Sequence, residues 1–159
     1  MLYEHLNCVA QKKKENLENA SPMERLILTS QHSDIGSCVL ERMLISEELA
    51  NAATAICRRR FKAMDIVLMV LLDKDEEGEA GIVFTETGIY HWLEDEEFVG
   101  EMPYVDIESV DYDEEQVIIT DNDGRTVELF CGEDSEEEHY SRYMYNFIMD
   151  IKEGLEEMQ

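Results

Sequence analysis

Four histidines, His5, His32, His91 and His139, and four cysteines, Cys8, Cys38, Cys57 and Cys131, are the side chains that could titrate or react near neutral pH. None of the histidines lies in a nucleophile elbow, an HExxH motif or a cysteine-protease context. The cysteines form no CxxC pair and no zinc spacing, so they read as reduced, partly buried thiols of a cytosolic protein. His91, beside Trp92 in an alternating stretch, reads as a half-buried structural residue, and His139 as a first-turn helix residue among glutamates. Asp121-Asn122-Asp123-Gly124 and Asp111-Tyr112-Asp113-Glu114-Glu115 have the look of calcium loops. Neither keeps the register of a calcium-binding hand, with its glycine at the sixth position and glutamate at the twelfth. The expectation is a protein without catalytic residues, cofactor or dedicated metal site.

Carboxylates are the chemistry this chain has in excess, and they are unevenly placed. Residues 1–64 carry nine Lys or Arg and eight Asp or Glu, whereas residues 65–159 carry four and thirty. Such density repels itself in a compact fold and attracts cationic partners. Nucleic acids and anionic membrane surfaces are disfavoured as direct partners on the same ground. The acidic residues gather in 73–79, 94–97, 111–115 and 133–138. The first two are dense runs at expected turns, which makes Asp75, Glu76, Glu77, Glu79, Glu94, Asp95, Glu96 and Glu97 the candidate partner-binding residues. Glu136, Glu137 and Glu138 are explained by helix capping. The basic clusters, Lys12-Lys13-Lys14 and Arg58-Arg59-Arg60 with Lys62, suit helix C-terminal halves. They could also dock on the acidic part, within the chain or between copies.

The elements that must position these charges fall into two groups. At 44% hydrophobic residues the chain can bury a core. Residues 1–63 read as a helical segment. Residues 1–18 carry a weak apolar stripe. Ser21-Pro22-Met23-Glu24 is a helix start with Ser21 as N-cap and Glu24 placed to close a capping box. A second start at Ser33 or Asp34 leads into Val39, Leu40, Met43 and Leu44 and on to Ile56, unless Ser46 caps a separate helix. From residue 64 the pattern changes to short strands. Ile66 to Leu72 is a continuous apolar run of the buried-strand kind. Strands follow at 81–85, 89–92, 98–99, 102–105 and 107–112, and Val117–Thr120 with Arg125–Cys131 form a hairpin through Gly124. The chain closes with a long helix capped at Ser135, whose stripe runs Tyr140, Tyr143, Met144, Phe147, Ile148, Ile151, Leu155, Met158. The fold class is α+β. Its two domains are a helical segment, 1–63, and an acidic sheet-and-helix domain, 64–159, which should fold on its own.

Gly81-Ile82-Val83-Phe84-Thr85-Glu86-Thr87-Gly88-Ile89-Tyr90 resembles a hairpin of bacterial pleckstrin-homology-like domains. Pro103-Tyr104-Val105-Asp106-Ile107-Glu108-Ser109-Val110 and Asp123-Gly124 are similar to later segments of those domains. The resemblance covers about residues 65–158. It implies an antiparallel sheet or barrel closed by a C-terminal helix and a non-catalytic module that binds proteins, peptides or lipid headgroups. Headgroup binding needs a basic first loop; Asp73-Lys74-Asp75-Glu76-Glu77-Gly78-Glu79 is of the opposite sign. The functional expectation is therefore an acidic inhibitor or immunity-type protein, a nucleic-acid mimic in charge, that occupies a basic protein surface. A regulatory or scaffolding module whose acidity serves solubility is the alternative, and a metal-dependent hydrolase the weaker one. The N-terminal helices could mediate a homo-oligomer. A cytoplasmic location follows from the absence of a leader-like N-terminus or membrane-length apolar run.

Overall fold

The computed structural model describes residues 20–32, 34–36, 38–72, 80–93, 97–131 and 140–158. The first helix, α1 (Pro22–Thr29), begins as its sequence dictates: Ser21 Oγ accepts the Glu24 N–H at 3.1 Å, and Pro22 takes the first helical position. Glu24 does not spend its carboxylate on a capping box. It is buried and pairs with Arg42 at 2.8 Å.

The helix expected from Ser33 or Asp34 is not formed. Cys38–Glu41 is a strand, β1, followed by a 3₁₀ turn at Arg42–Leu44. The physical reason lies in β2 (Ile66–Leu72), whose apolar run needs partners on both edges. Cys38 to Glu41 pair antiparallel with Leu71 to Leu68 and supply one edge, so tertiary pairing overrides the helical spacing of Val39, Leu40 and Met43. Ser46 caps a separate helix, α2 (Glu47–Ile56), with its Oγ accepting the Leu49 N–H at 3.1 Å.

The remaining strands are β3 (Ala80–Thr85), β4 (Gly88–Leu93), β5 (Glu97–Pro103), β6 (Ile107–Tyr112), β7 (Gln116–Asp121) and β8 (Thr126–Phe130). The last helix is α3 (Tyr140–Met158). A five-stranded antiparallel sheet runs β1-β2-β3-β4-β5 and a three-stranded one β6-β7-β8. Residues 102–105, expected as one strand, divide: Met102 and Pro103 end β5, and Tyr104–Asp106 form a 3₁₀ turn. The β7–β8 turn is as expected, with Gly124 at φ +82°, where a β-carbon would be strained.

β2 is apolar throughout because it is buried on both faces. Leu68, Val70, Ile82, Phe84 and Ile89 face a main core completed by Val117, Ile119 and Leu129 of the second sheet, Ile27 of α1, and Met144, Phe147, Ile148 and Ile151 of α3. Phe84 and Phe147 meet edge to face at 5.0 Å. On the other face Ile66, Met69, Val83, Tyr90 and Trp92 pack beneath Ala50, Ala53, Cys57 and Phe61. Alternation along β2 serves the two cores, and a register shift between Ile66 and Leu68 lets the consecutive Val67 and Leu68 both face the main one. The segment before residue 64 therefore supplies an edge strand, a helix to one core and a cover to the other. Two glycines permit the closest approaches. A β-carbon on Gly81 would lie 2.2 Å from Trp92 Cζ2, and one on Gly154 would lie 2.4 Å from Leu26 Cδ1 of α1.

Candidate binding surface

Of the eight candidate partner-binding residues, Asp75, Glu76, Glu77, Glu79, Glu94, Asp95 and Glu96 lie outside the described residues. So do the Ser135 cap, His139, residues 1–18 and the Lys12-Lys13-Lys14 cluster. Glu97 is described, and it differs from expectation: it is the first residue of β5, paired with Leu93, rather than part of a turn. Its side chain is exposed. Leu71, Gly81, Trp92 and Phe98 form one row across β2 to β5, so the strand ends that flank 73–79 and 94–96 share one end of the sheet.

The second sheet displays the described acidic surface. Val117, Ile119 and Leu129 are fully buried, while Asp111, Ile118 and Glu128 form a row across the opposite face. Neighbouring strands stand about 4.8 Å apart, which puts the Asp111 and Glu128 positions about 10 Å apart on a fixed backbone. Between residues 106 and 130 there are nine carboxylates and one cation, Arg125; every one of these side chains except the half-buried Asp121 is exposed. Two of the nine also shape turns. Asp113 Oδ1 accepts the N–H of Glu115 and Gln116, which holds that carboxyl below the usual range. Asp121 Oδ1 accepts the N–H of Asp123 and Arg125. The sequence marked 111–115 as acidic but missed Glu108 and Glu128. The signal for Glu128 was available in the alternation of β8, whereas Glu108 lies at the register shift between Ile107 and Ser109, which alternation does not give.

The acidic sheet is fixed to the larger one by a buried seam. His91 Nδ1–H donates to the Gly81 carbonyl at 2.7 Å, and its Nε2 accepts the Phe130 N–H at 3.1 Å. The ring is wholly buried rather than half-buried, and burial pulls its pKa down to about 4, against the Gly81 bond. His91 and Gly100 are register partners, and Gly100 faces Val127, so β8 packs on the β4–β5 pair. Tyr104 adds a further tie: its buried hydroxyl donates to the Thr85 carbonyl at 2.8 Å, and burial raises its pKa well above the tyrosine range.

No family model, no curated protein and no solved structure matches this chain. The chemistry of its own side chains is the remaining guide. Cys57 is buried, and desolvation, assisted by Glu101, pushes its thiol up to about 12, so it is not a nucleophile at neutral pH. Cys131 is buried and Cys38 exposed. Among the described residues no group of three His, Cys, Asp or Glu could hold a metal ion. Nor is any described helix long and apolar enough to cross a membrane. The arginine cluster follows α2 instead of lying on it. Arg58 and Arg59 take left-handed conformations at φ 56° and 55°, Arg58 lies 5.6 Å over the Phe98 ring, and Arg60 approaches Glu101 at 3.7 Å. Two of these cations thus lie against β5 of the acidic part.

Proposed function

We propose that this chain is a non-catalytic acidic protein that occupies a basic surface of a protein partner, as an inhibitor or immunity-type protein does, on a pleckstrin-homology-like scaffold. The scaffold reading is supported by a four-strand run (β2–β5), a separate three-strand run (β6–β8) and a closing helix, in that order. The functional reading is carried by one observation: the nine-to-one excess of carboxylates held on the rigid second sheet and its turns. Charges fixed on a sheet attract a cationic surface without the ordering cost that mobile side chains and loops incur. β1 and α2 add an edge and a cover to that scaffold, and both leave the acidic sheet free.

The test is salt. A partner captured from an extract of the native host at low ionic strength should lose affinity steeply as salt rises, and duplex DNA should compete for it if its basic surface is a nucleic-acid groove. Salt-independent binding would favour the second reading, a regulatory or scaffolding module that uses a sheet edge. One observation speaks for that reading: Tyr112, 42% exposed at the end of edge strand β6, meets Tyr145 of α3 in a tilted ring pair at 4.8 Å, an aromatic patch beside that edge.

A further inference from the structure

Between the 3₁₀ turn Arg42–Leu44, the start of α2 and a second 3₁₀ turn, Ala63–Asp65, lies an open groove of about 450 Å³. Most of its lining is apolar: Ile45, Ala50, Ala63, Met64 and Ile66. Met64 is 75% exposed, and Leu44, next to Ile45, is 61% exposed. Large apolar side chains grouped in water mark an interaction surface. Arg42 also lines the groove, but its nitrogens are committed elsewhere. It donates to the Ile66 and Met64 carbonyls, each at 2.8 Å, and pairs with Glu24 at 2.8 Å. Glu47, in the first turn of α2, is the remaining polar lining residue. The groove thus lacks the convergent polar groups that orient a small polar ligand, and an aliphatic occupant fits it better.

We propose that residues 2–9 of the same chain cover this groove. Arg42 joins the groove to Glu24, and Glu24 lies one helical turn from Ser21, so the chain that precedes α1 enters beside it. Ala20 is the first described residue. Residues 10–19 span up to about 33 Å when extended and about 15 Å as a helix, ample for a groove one side chain away from α1. Leu2, Leu6 and Val9 recur at four- and three-residue steps, the spacing of one helical face. Lys12-Lys13-Lys14 follow that face and complement Glu47 and Glu48 in the exposed first turn of α2. A second copy suits the groove less well. Each copy carries a net charge of −25, whereas residues 1–19 balance three lysines with three glutamates and are held nearby by the chain itself.

The experiment follows methyl and amide signals of the full-length, isotope-labelled chain. Nuclear Overhauser contacts should join the methyls of Leu2, Leu6 and Val9 to those of Ile45 and Met64, and should persist on dilution. Leu6→Asp should abolish them and speed amide exchange of residues 2–9 at least about tenfold, the effect of losing one buried leucine. Met64→Glu should release the segment equally from the groove's side. Met64 is 75% exposed, so that change spares the core, and unchanged Trp92 emission would verify it. Val105→Glu, at another exposed apolar position, should alter neither reading. Contacts found only between differently labelled molecules would make a second copy the occupant and overturn the proposal. Residues 2–9 exchanging as fast as a free peptide would overturn it too, leaving the groove to a separate partner. Equal release by all three variants would overturn the groove as the docking site.

Discussion

The His91 ring and the Phe130 backbone, 39 residues apart in sequence, share one hydrogen bond that ties the two sheets together. The bond fixes the tautomer. Nδ1 carries the proton because it faces the Gly81 carbonyl, and Nε2 must stay bare because it faces an N–H. Protonating Nε2 would set two donors against each other in a dry seam.

Stability should therefore depend on pH through this ring. The folded pKa, about 4, lies below the ordinary value of 6.5, so the unfolded chain binds the proton more readily. The His91 contribution is complete above about pH 6.5 and is lost as pH falls toward 4, by roughly 3 kcal/mol in all. Melting temperatures between pH 7.5 and 4 should show that loss, and His91→Gln should flatten it while lowering stability at pH 7.5. An unchanged slope in the variant would show that carboxylates elsewhere produce the whole effect.

Gly81 opposite Trp92 is a steric requirement. Gly81→Ala places a β-carbon 2.2 Å from the indole, which must move out of its slot beneath α2. The expected cost is about 1–3 kcal/mol, the range for overpacking, with a red-shifted Trp92 emission. Trp92→Leu in the same chain should recover part of that loss, since it empties the space the new methyl needs.

The pair Glu24–Arg42, buried on its carboxylate side only, should behave asymmetrically. Arg42 also donates to the Ile66 and Met64 carbonyls, each at 2.8 Å. Arg42→Met strands a carboxylate that is 8% exposed and leaves those carbonyls unpaired, at a cost of about 3 kcal/mol. Adding Glu24→Gln should return a measurable fraction in urea unfolding; a double variant no better than the single would show that the carbonyl bonds dominate.

Much of this fold could be read from the chain because local chemistry and tertiary packing agree there. Ser21, Ser46 and Gly124 do what their types dictate, and the stripe Met144, Phe147, Ile148, Ile151 finds the core. The misreadings occur where packing decides. Val39 and Leu40 have helical spacing, and only the open edge of β2 makes them a strand. Tyr143 and Met158 sit on the apolar stripe of α3, yet they are 36% and 49% exposed. The acidic surface was legible as composition, but which carboxylates share a face depends on the β6–β8 register.

The same packing alters the expectation for residues 64–159 alone. Without the preceding segment, β2 loses the partner on one edge and Met69, Val83, Tyr90 and Trp92 lose their cover. An apolar edge and face exposed together favour association. The fragment should retain mixed α and β circular dichroism but sediment as oligomers or aggregates. A monomeric fragment as stable as the whole chain would mean that α2 and β1 add little.

The charged face makes the last prediction. Asp111, Glu108 and Glu128 point away from the core, and no described ion pair engages them. Changing all three to Asn or Gln should therefore leave the melting temperature unchanged or raise it, as like-charge repulsion falls. If the second sheet is the binding surface, the triple variant should associate with the basic partner more slowly and with a shallower salt dependence, while dissociation changes less. The comparison that decides is a matched triple, Glu47, Glu48 and Glu157 to Gln, which removes the same charge from α2 and the end of α3. A deficit confined to the first variant places the contact on β6–β8. Equal deficits would mean that only net charge counts, and the sheet would lose its claim to be the site.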